Sequence, residues 1–222
     1  MFRRLFFPIL LGIAGTAVLM SLGFWQLHRL EWKETILADI DRRVHAEPVD
    51  LPANPIEKDD KYLAVKATGT FTGQSIDVLV SRKEQGAGFR VVEAFETAGR
   101  RILVDRGFVT DDHRADPRPS PTMEVVGNLH WPQEVDQFTP APDPQTGMWF
   151  ARDLPEMAKA LGTEPILIVA RAPTSDQIEP MPVDNSGIPN DHLGYAIQWF
   201  GLAFVWLGMT AYLLWRINRR TF

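Results

Sequence analysis

The sequence contains no cysteine, so neither disulfides nor thiolate metal sites are available to it. Its methionines are few and scattered, which argues against a copper carrier. Several enzyme motifs are also missing: there is no nucleophile elbow, no phosphate-binding glycine loop, no dinucleotide glycine pattern and no His-Glu-x-x-His zinc motif. We therefore expect a protein that is not an enzyme.

Charge is absent from two long stretches. They run from Leu5 to Leu27 and from Leu193 to Trp215, 23 residues each. At about 1.5 Å per residue, a helix of this length reaches roughly 34 Å, enough to cross a hydrocarbon core of about 30 Å. A cleaved signal peptide would begin as the first stretch does, but its apolar core is shorter and a small-residue cleavage site follows it. We therefore predict transmembrane helices at 5–27 and 191–215.

Acidic residues are missing from both ends. Five of the 23 basic residues lie at the two ends of the chain, beyond the apolar stretches. The other 18 basic residues and all 28 acidic residues lie between the stretches, so the intervening segment has a net charge of −10. Basic flanks stay in the cytoplasm, which predicts that 1–4 and 216–222 are cytoplasmic and that 28–190 lies outside. The first residues do not resemble a transit peptide, which favours a bacterial inner membrane and a periplasmic domain. Its acidity argues against nucleic acid as a partner.

The middle of the chain indicates an α+β domain. Apolar residues at heptad spacing predict an amphipathic helix at 28–46. About five valine-rich runs between 62 and 131, and another at 164–172, predict mostly antiparallel strands. "DLPEMAKALG" predicts a short helix with Asp153 as its N-cap and Gly162 as its stop. We expect a membrane protein whose two transmembrane helices flank an extracytoplasmic α+β domain with a mostly antiparallel sheet or small barrel.

Two of the five histidines lie at the ends of the predicted spans. His28 closes the first and His192 opens the second, so the topology alone puts both at the same outer face of the membrane, where ordinary interfacial residues also occur. Pro189 and a capping Asn190 or Asp191 place His192 in a first helical turn, where the helix dipole disfavours its protonated form. Neutral imidazole is the metal-binding form. The other three are interpreted as ordinary surface or core residues: His45, His113 and His130.

The second predicted span has two different faces. Its aromatic face contains His192, Tyr195, Trp199 and Trp206, and its glycine stripe contains Gly194, Gly201 and Gly208. Small residues permit close helix contact in lipid, so we predict that the glycine stripe packs on the first span and that the aromatic face looks outward. A flat aromatic face below a neutral imidazole suits a planar, apolar, metal-bearing ligand such as haem. Packing against lipid or protein would also account for it.

A polar pair interrupts one predicted strand. Asp105 and Arg106 lie within "LVDRGFV", where two neighbouring ionisable residues raise the question of a catalytic role. We interpret them as an exposed or edge ion pair, since such pairs are the commoner arrangement.

Four blocks of the sequence resemble, in the same order, those of the Surfeit locus protein family. They are "GFWQLHRLEWKE" (23–34), "ILVDRGFV" (102–109), the Trp, Asp and Met-Ala positions of 149–158, and "PNDHLGYAIQWFGLA" (189–203). The resemblance covers nearly the whole chain. Its most specific parts are Trp-Gln-x-x-Arg-Leu-x-Trp-Lys after the first span and His-Leu-x-Tyr-Ala-x-x-Trp-Phe at the start of the second.

This resemblance implies a factor for the assembly of haem-copper cytochrome c oxidase. It would transiently bind haem a and deliver it to oxidase subunit I or stabilise it there, with haem a synthase as a further partner. A family histidine matches His192, which the resemblance makes an axial haem ligand, with Tyr195 and Trp199 as haem contacts. His28 matches no family histidine and is a candidate second ligand by its membrane position alone. No metal other than the haem iron is expected.

One departure from the family pattern limits what carries over. Where the family often has Asn-Arg-Gly-Trp, this chain has Asp105 to Phe108, and we assign these residues no ligand role. Two other functions stay open. One is a haem-free scaffold that stabilises an oxidase assembly intermediate, and the other is a ligand-sensing outer domain whose spans signal inward. The short cytoplasmic tails, which carry no output module, make the sensor the weakest of the three.

Overall fold

The structure is a computed structural model that describes residues 2–83, 85–118, 122–184 and 189–219, with side chains from Leu5 onward. Met1 and residues 220–222 of the predicted cytoplasmic ends lie outside the described residues, as do residues 84, 119–121 and 185–188. The chain forms two compact units. One contains Met1–Asp39 and Asn185–Phe222, and the other contains Ile40–Asp184. We refer to them as the helix unit and the sheet unit.

Two long helices dominate the helix unit. Helix α1 extends over Phe2–Val44, beyond the limit of this unit, and the last helix, α4, extends over His192–Arg219. Each is long and apolar enough to cross a membrane. Most of their large apolar side chains are exposed, as expected of helices that face lipid rather than a protein core.

The two helices pack through the glycines of α1. Gly12, Gly15 and Gly23 face Thr210, Trp206 and Phe200 of α4, and a Cβ added at any of the three would overlap its neighbour. The indole Nε1 of Trp206 donates to the carbonyl oxygen of Gly12 at 3.2 Å. This bond satisfies a polar group in an apolar setting, and it needs a residue without a side chain at position 15, where a Cβ would overlap the indole.

The predicted orientation of α4 is wrong. Gly194, Gly201 and Gly208 have no protein atom within 4 Å of a Cβ built on them, so within the described residues the glycine stripe contacts nothing. The contact face is instead the one that carries Trp206 and the buried Ala196 and Ala203. Glycines on one helix are enough for close approach, because the large side chains of the other helix fill the groove that they leave.

The sheet unit is built on a seven-stranded sheet within the described part of the chain. Its strands are β1 (Val49–Asp50), β2 (Ala64–Arg82), β3 (Gly86–Thr97), β4 (Arg100–Thr110), β5 (Thr122–Leu129), β6 (Met148–Trp149) and β7 (Leu167–Ala170). Between them lie helix α2 (Glu57–Asp60), a 3₁₀ turn (Asp111–His113) and helix α3 (Leu154–Leu161).

The strand pairings return to their starting point. They run β2–β3–β4–β7–β5 and back to β2, with β1 and β6 added in parallel to β2. The β4–β7 pair is also parallel and the remaining pairs are antiparallel. The predicted fold class, two apolar helices flanking an α+β domain with a mostly antiparallel sheet, is confirmed.

Sequence signals locate α3 accurately. The side chain of Asp153 accepts a hydrogen bond from the backbone N–H of Glu156, and Gly162 ends the helix in the left-handed conformation at φ 61°. Both predicted caps are confirmed. The helix buries Leu154, Met157 and Ala158 against the sheet, in a cluster that also contains Leu103 and Leu167.

Two of the valine-rich runs, at 62–71 and 75–83, form one long strand, β2, rather than the two strands that we predicted. The Gly- and Thr-rich stretch after Phe71 indicates a turn, but β2 continues through it as a bulge and stays paired with β3 on both sides. Gly73 adopts φ 78°, and its N–H donates to Oε1 of Glu93 at 2.8 Å. A side chain of the neighbouring strand thus satisfies the backbone group that the bulge frees.

Asp105 and Arg106 are not an exposed pair, which corrects our interpretation. Both are fully buried, because β4 is covered on both faces. Arg106 is the extra residue of a bulge: Val91 pairs with Gly107 and Val92 with Asp105. Gly107 has φ 121° and lies against the carbonyl oxygen of Glu179, where no Cβ would fit. Asp105 and Arg106 therefore engage different partners rather than each other.

Candidate functional site

His192 is the first residue of α4, and its ring contacts α1. Its Nδ1 donates to the side-chain oxygen Oε1 of Gln26 at 2.9 Å. Gln26 is only 9% exposed, whereas His192 is half-buried. No partner of Nε2 occurs among the described residues, and so the second ring nitrogen is free to accept. The imidazole is thus held in one tautomer, with the proton on Nδ1.

Local sequence explains why the helix begins at His192. Pro189 precedes it, and the backbone N–H of Tyr195 donates to the carbonyl oxygen of Asp191 at 3.2 Å, which closes the first turn. One turn further, the buried Ala196 lies on the contact face with α1. His192 therefore belongs to the seam between the helices.

The other predicted site residues lie around this seam with different exposure. Tyr195 is 51% exposed, and Trp199 is half-buried. On α1, Trp25 is 57% exposed and Phe24 packs edge-on against Phe200, with ring centroids 5.4 Å apart. Apolar, partly aromatic surface thus borders the seam, and Nε2 of His192 has no partner among the described residues. A haem would need such a surface and a nitrogen ligand for its iron.

His28 is separate from this arrangement. It is exposed, and its Nδ1 donates to the carbonyl oxygen of Phe24 one turn earlier in α1, at 2.9 Å. Two positions along a helix correspond to a rotation of about 160°, so His28 and Gln26 leave α1 on nearly opposite sides. Within the described residues no hydrogen bond joins the two histidines. The role of His28 as a second ligand stays a prediction.

Sequence reasoning missed Gln26. The block Trp-Gln-x-x-Arg carried the family resemblance, but nothing in the sequence says which face of α1 meets His192. The two residues are 166 positions apart. The available signal was an uncharged hydrogen-bonding side chain at the end of an apolar run, where an amide needs a partner if it is buried.

A second polar cluster lies in the sheet unit. Oδ2 of the buried Asp105 accepts from Nη1 of Arg152 at 2.8 Å and lies 3.0 Å from Nε of Arg90. Arg152 also donates to Glu134, through its backbone N–H and through Nε and Nη2 of its guanidinium group. Two cations and two carboxylates thus balance one another, and the cluster ties β3 and β4 to the segments before and after β6.

Burial and charge set the pKa values in this cluster. Burial would raise the pKa of Glu134, but its hydrogen bonds with Arg152 and the charge of that residue lower it overall. Burial lowers the pKa of the nearby His130 to about 4, and the positive charge of Arg152 adds to the effect. His130 is thus neutral at pH 7, with a buried Nδ1 that lacks a partner among the described residues. None of these five side chains is a typical nucleophile, and we interpret the cluster as a structural one.

A buried ion pair lies next to this cluster in sequence. Nη1 of Arg106 donates to Oε2 of Glu93 at 2.6 Å, and its Nε donates to Oγ1 of Thr174 at 2.9 Å. The guanidinium group also lies over the ring of Phe71, with 4.2 Å from Cζ to the ring centroid. Each buried charge here has a partner, and removing one of them would leave the other charge buried and unpaired.

The surface of the sheet unit has an apolar cleft of about 480 Å³. The loop before β6 and helix α3 form its walls, with Val135, Pro140, Pro142, Trp149 and Phe150 among the lining residues. Phe138 in the same loop is 80% exposed. Among the described residues, no three acidic or histidine side chains are grouped closely enough to hold a metal ion.

These features define a class: a membrane protein with two candidate spanning helices and an α+β domain between them. The SURF1 family profile matches residues 13–204. Surfeit locus protein 1 of Rattus norvegicus is 32% identical over 96% of this chain and 76% of its own length. The Homo sapiens protein is 32% identical over 88% of this chain and 73% of its own length. A SURF1-like protein of Rickettsia bellii is 29% identical over 84% of this chain and 82% of its own length.

The chain therefore belongs to the SURF1 family, which confirms the resemblance seen in the four sequence blocks. This family is known for cytochrome c oxidase assembly factors rather than for enzymes.

Proposed function

We propose that this protein is an assembly factor for haem-copper cytochrome c oxidase that holds haem a transiently at His192. It then passes the haem to oxidase subunit I or stabilises it there, with haem a synthase as a further partner. The family supports the assembly role. The haem role depends on one observation, the hydrogen bond from Nδ1 of His192 to Gln26, which leaves Nε2 without a partner among the described residues.

Haem iron takes a neutral imidazole nitrogen as an axial ligand, and a histidine ligand usually donates its other N–H to a protein acceptor. His192 already has the protein part of this arrangement, the hydrogen bond from Nδ1 to Gln26. The ring is held by α1 through Gln26 and is carried by the first turn of α4. A ligand of this kind, positioned in advance, lowers the ordering cost of binding.

The surroundings of His192 support an apolar cargo. Tyr195 and Trp25 are each more than half exposed, and Phe24 is about half exposed. Exposed aromatic surface at a helix end suits the porphyrin plane, and Trp199 adds half-buried surface on α4. A single strong ligand on an open surface also suits a carrier, because a cargo enclosed on all sides would be released slowly.

The charge distribution supports a bacterial inner-membrane location with both ends in the cytoplasm. Basic residues flank the apolar stretches, and all the acidic residues lie between them. The sheet unit would then lie in the periplasm. Reporter fusions at residues 115 and 222 test this orientation. A reporter that needs the periplasm should be active at 115 and inactive at 222, and the reverse pattern would overturn the proposal.

The haem role is tested by comparing His192→Ala with His28→Ala. Both variants should be expressed in cells that make haem a, purified side by side and scored for the Soret band per mole of protein. We expect His192→Ala to lose at least about nine-tenths of the bound haem, since an axial ligand is removed. His28→Ala tests the predicted second ligand: loss of haem would support that role, and full retention would remove it. His45→Ala is the matched control, because its side chain is 74% exposed. Full haem retention in the His192 variant would remove the haem role.

A haem-free scaffold is the second candidate, and the cleft of the sheet unit favours it. Contiguous apolar surface of this kind, with Phe138 exposed beside it, is typical of protein–protein contact. The scaffold predicts that His192→Ala supports normal oxidase assembly and that Phe138→Ser impairs it. The haem role predicts that His192→Ala impairs assembly even when the protein level is normal.

A further inference from the structure

We propose that Gln26 is the positioning residue of the haem site: it fixes the tautomer of His192 and thereby the electron-donor strength of Nε2. This inference rests on the proposed haem role of His192. Its structural basis is the hydrogen bond of 2.9 Å between Nδ1 and Oε1, made by an amide that is 9% exposed.

The amide orientation decides which ring nitrogen binds metal. A neutral imidazole has one N–H group. In His192 this group is at Nδ1, and the side-chain oxygen of Gln26 accepts a hydrogen bond from it. The lone pair is therefore on Nε2, and Nδ1 is blocked by its contact with α1. If the amide nitrogen of Gln26 faced the ring instead, Nδ1 would be the acceptor and Nε2 would carry the proton, which prevents coordination.

The packing of the helix pair holds Gln26 in place. Gly23, one turn before Gln26 on the same side of α1, is covered by Phe200. On α4, the face of His192 continues through Ala196 and Ala203, both about 1% exposed. The Gln26–His192 bond is thus the end of a continuous seam. Within the described residues, Gln26 is the only buried polar side chain of the helix unit.

A hydrogen-bond acceptor at the far nitrogen increases the basicity of a histidine ligand. The strength of the acceptor therefore changes how strongly Nε2 donates electrons to the iron. A side chain that merely fills space has no such effect. Replacing an amide by a carboxylate strengthens the acceptor, and replacing it by a hydrocarbon removes the acceptor.

The experiment uses the full chain loaded with haem and compares Gln26→Glu, Gln26→Leu and Gln26→Met with the parent. Resonance Raman spectroscopy of the reduced protein gives the iron–histidine stretching frequency. We expect this frequency to rise in Gln26→Glu and to fall in Gln26→Leu and Gln26→Met, because leucine has no acceptor and the thioether sulfur of methionine is only a weak one. Haem affinity should fall about 10- to 100-fold in Gln26→Leu and Gln26→Met, the usual effect of losing such a partner. Gln198→Leu is the matched control, because Gln198 is exposed on α4.

The outcomes separate this inference from the proposed function. If His192→Ala keeps its haem, the proposed function fails and this inference fails with it. If His192→Ala loses haem while the Gln26 variants keep parental affinity and frequency, only the positioning role is overturned. If the Gln26 variants bind less haem with an unchanged frequency, Gln26 is merely structural, and the inference is again wrong.

Discussion

The helix unit and the sheet unit differ in how many polar and charged side chains they bury. Among the described residues, the sheet unit buries two arginines and two carboxylates at 7% exposure or less, namely Glu93, Asp105, Arg106 and Arg152. The described part of the helix unit buries no charge and a single polar side chain, Gln26. The outer surface of its two charge-free stretches is apolar instead, as suits a lipid environment.

This difference indicates what each polar contact is for. In the sheet unit, several charges neutralise one another, and each fixes the position of a strand or loop. Their role is structural, because removing one charge would leave its partner buried and unpaired. In the helix unit, the amide of Gln26 meets the imidazole of His192, whose Nε2 has no partner among the described residues. A single polar contact in an apolar seam is therefore the better candidate for a binding function.

The largest expected effect comes from breaking the buried ion pair of the sheet unit. Arg106→Leu would leave the carboxylate of Glu93, which is 1% exposed, without its cation. We expect a loss of about 3–5 kcal/mol in the free energy of unfolding of this unit. Denaturation of the full chain in detergent, followed by near-ultraviolet circular dichroism, measures it.

Two further variants sharpen this result. Lys159→Ala removes an exposed ion pair with Glu156 and should leave the unfolding transition in place. The double variant Glu93→Gln, Arg106→Leu should recover much of the lost stability, because no buried charge is then left unpaired and the amide oxygen can still accept from the N–H of Gly73. A parental transition in Arg106→Leu would show that the pair contributes little to this fold.

A smaller effect is expected in the helix unit, where packing rather than charge is changed. Gly15→Leu would drive a side chain into the indole of Trp206, and overpacking typically costs about 1–3 kcal/mol. Gly201→Leu is the matched control, because no protein atom within the described residues lies within 4 Å of its Cβ position. Thermal unfolding in detergent should show a lower midpoint for Gly15→Leu alone. The reverse pattern would restore the packing predicted from the glycine stripe.

The smallest effect concerns the pH dependence of the sheet unit. The pKa of His130 is about 4 in the folded protein and about 6.5 in an unfolded chain, so between these values only the unfolded state takes up its proton. Stability from this residue is thus present above about pH 6.5 and is lost as the pH falls towards 4. At pH 5 the loss is on the order of 1–2 kcal/mol.

His130→Gln should therefore flatten the decrease in stability between pH 7 and pH 5. The charged groups that act on His130 in the parent are Arg152, Lys61, Glu134 and Arg90, and the substitution leaves them in place. His45→Gln is the control, because the side chain of His45 is 74% exposed. Equal pH dependence in His130→Gln and the parent would show that the ring is accessible to protons in the folded state.

Local patterns in the sequence determined the elements of this protein. The charge-free runs predicted the two apolar helices, and Asp153 with Gly162 set the limits of α3. These features depend on residues within a few positions of one another. The family resemblance also came from such local blocks, and it pointed to His192 as the residue of interest.

Tertiary structure alone decided how the elements meet. The glycine stripe of α4 does not contact α1, because the glycines of α1 already provide the groove and α4 fills it with Trp206 and Phe200. Asp105 and Arg106 are buried because β4 is covered on both faces, which a single strand sequence does not reveal. The partner of His192 is 166 positions away. Which face of a helix is buried, and against what, depends on long-range contacts that periodicity in one segment cannot specify.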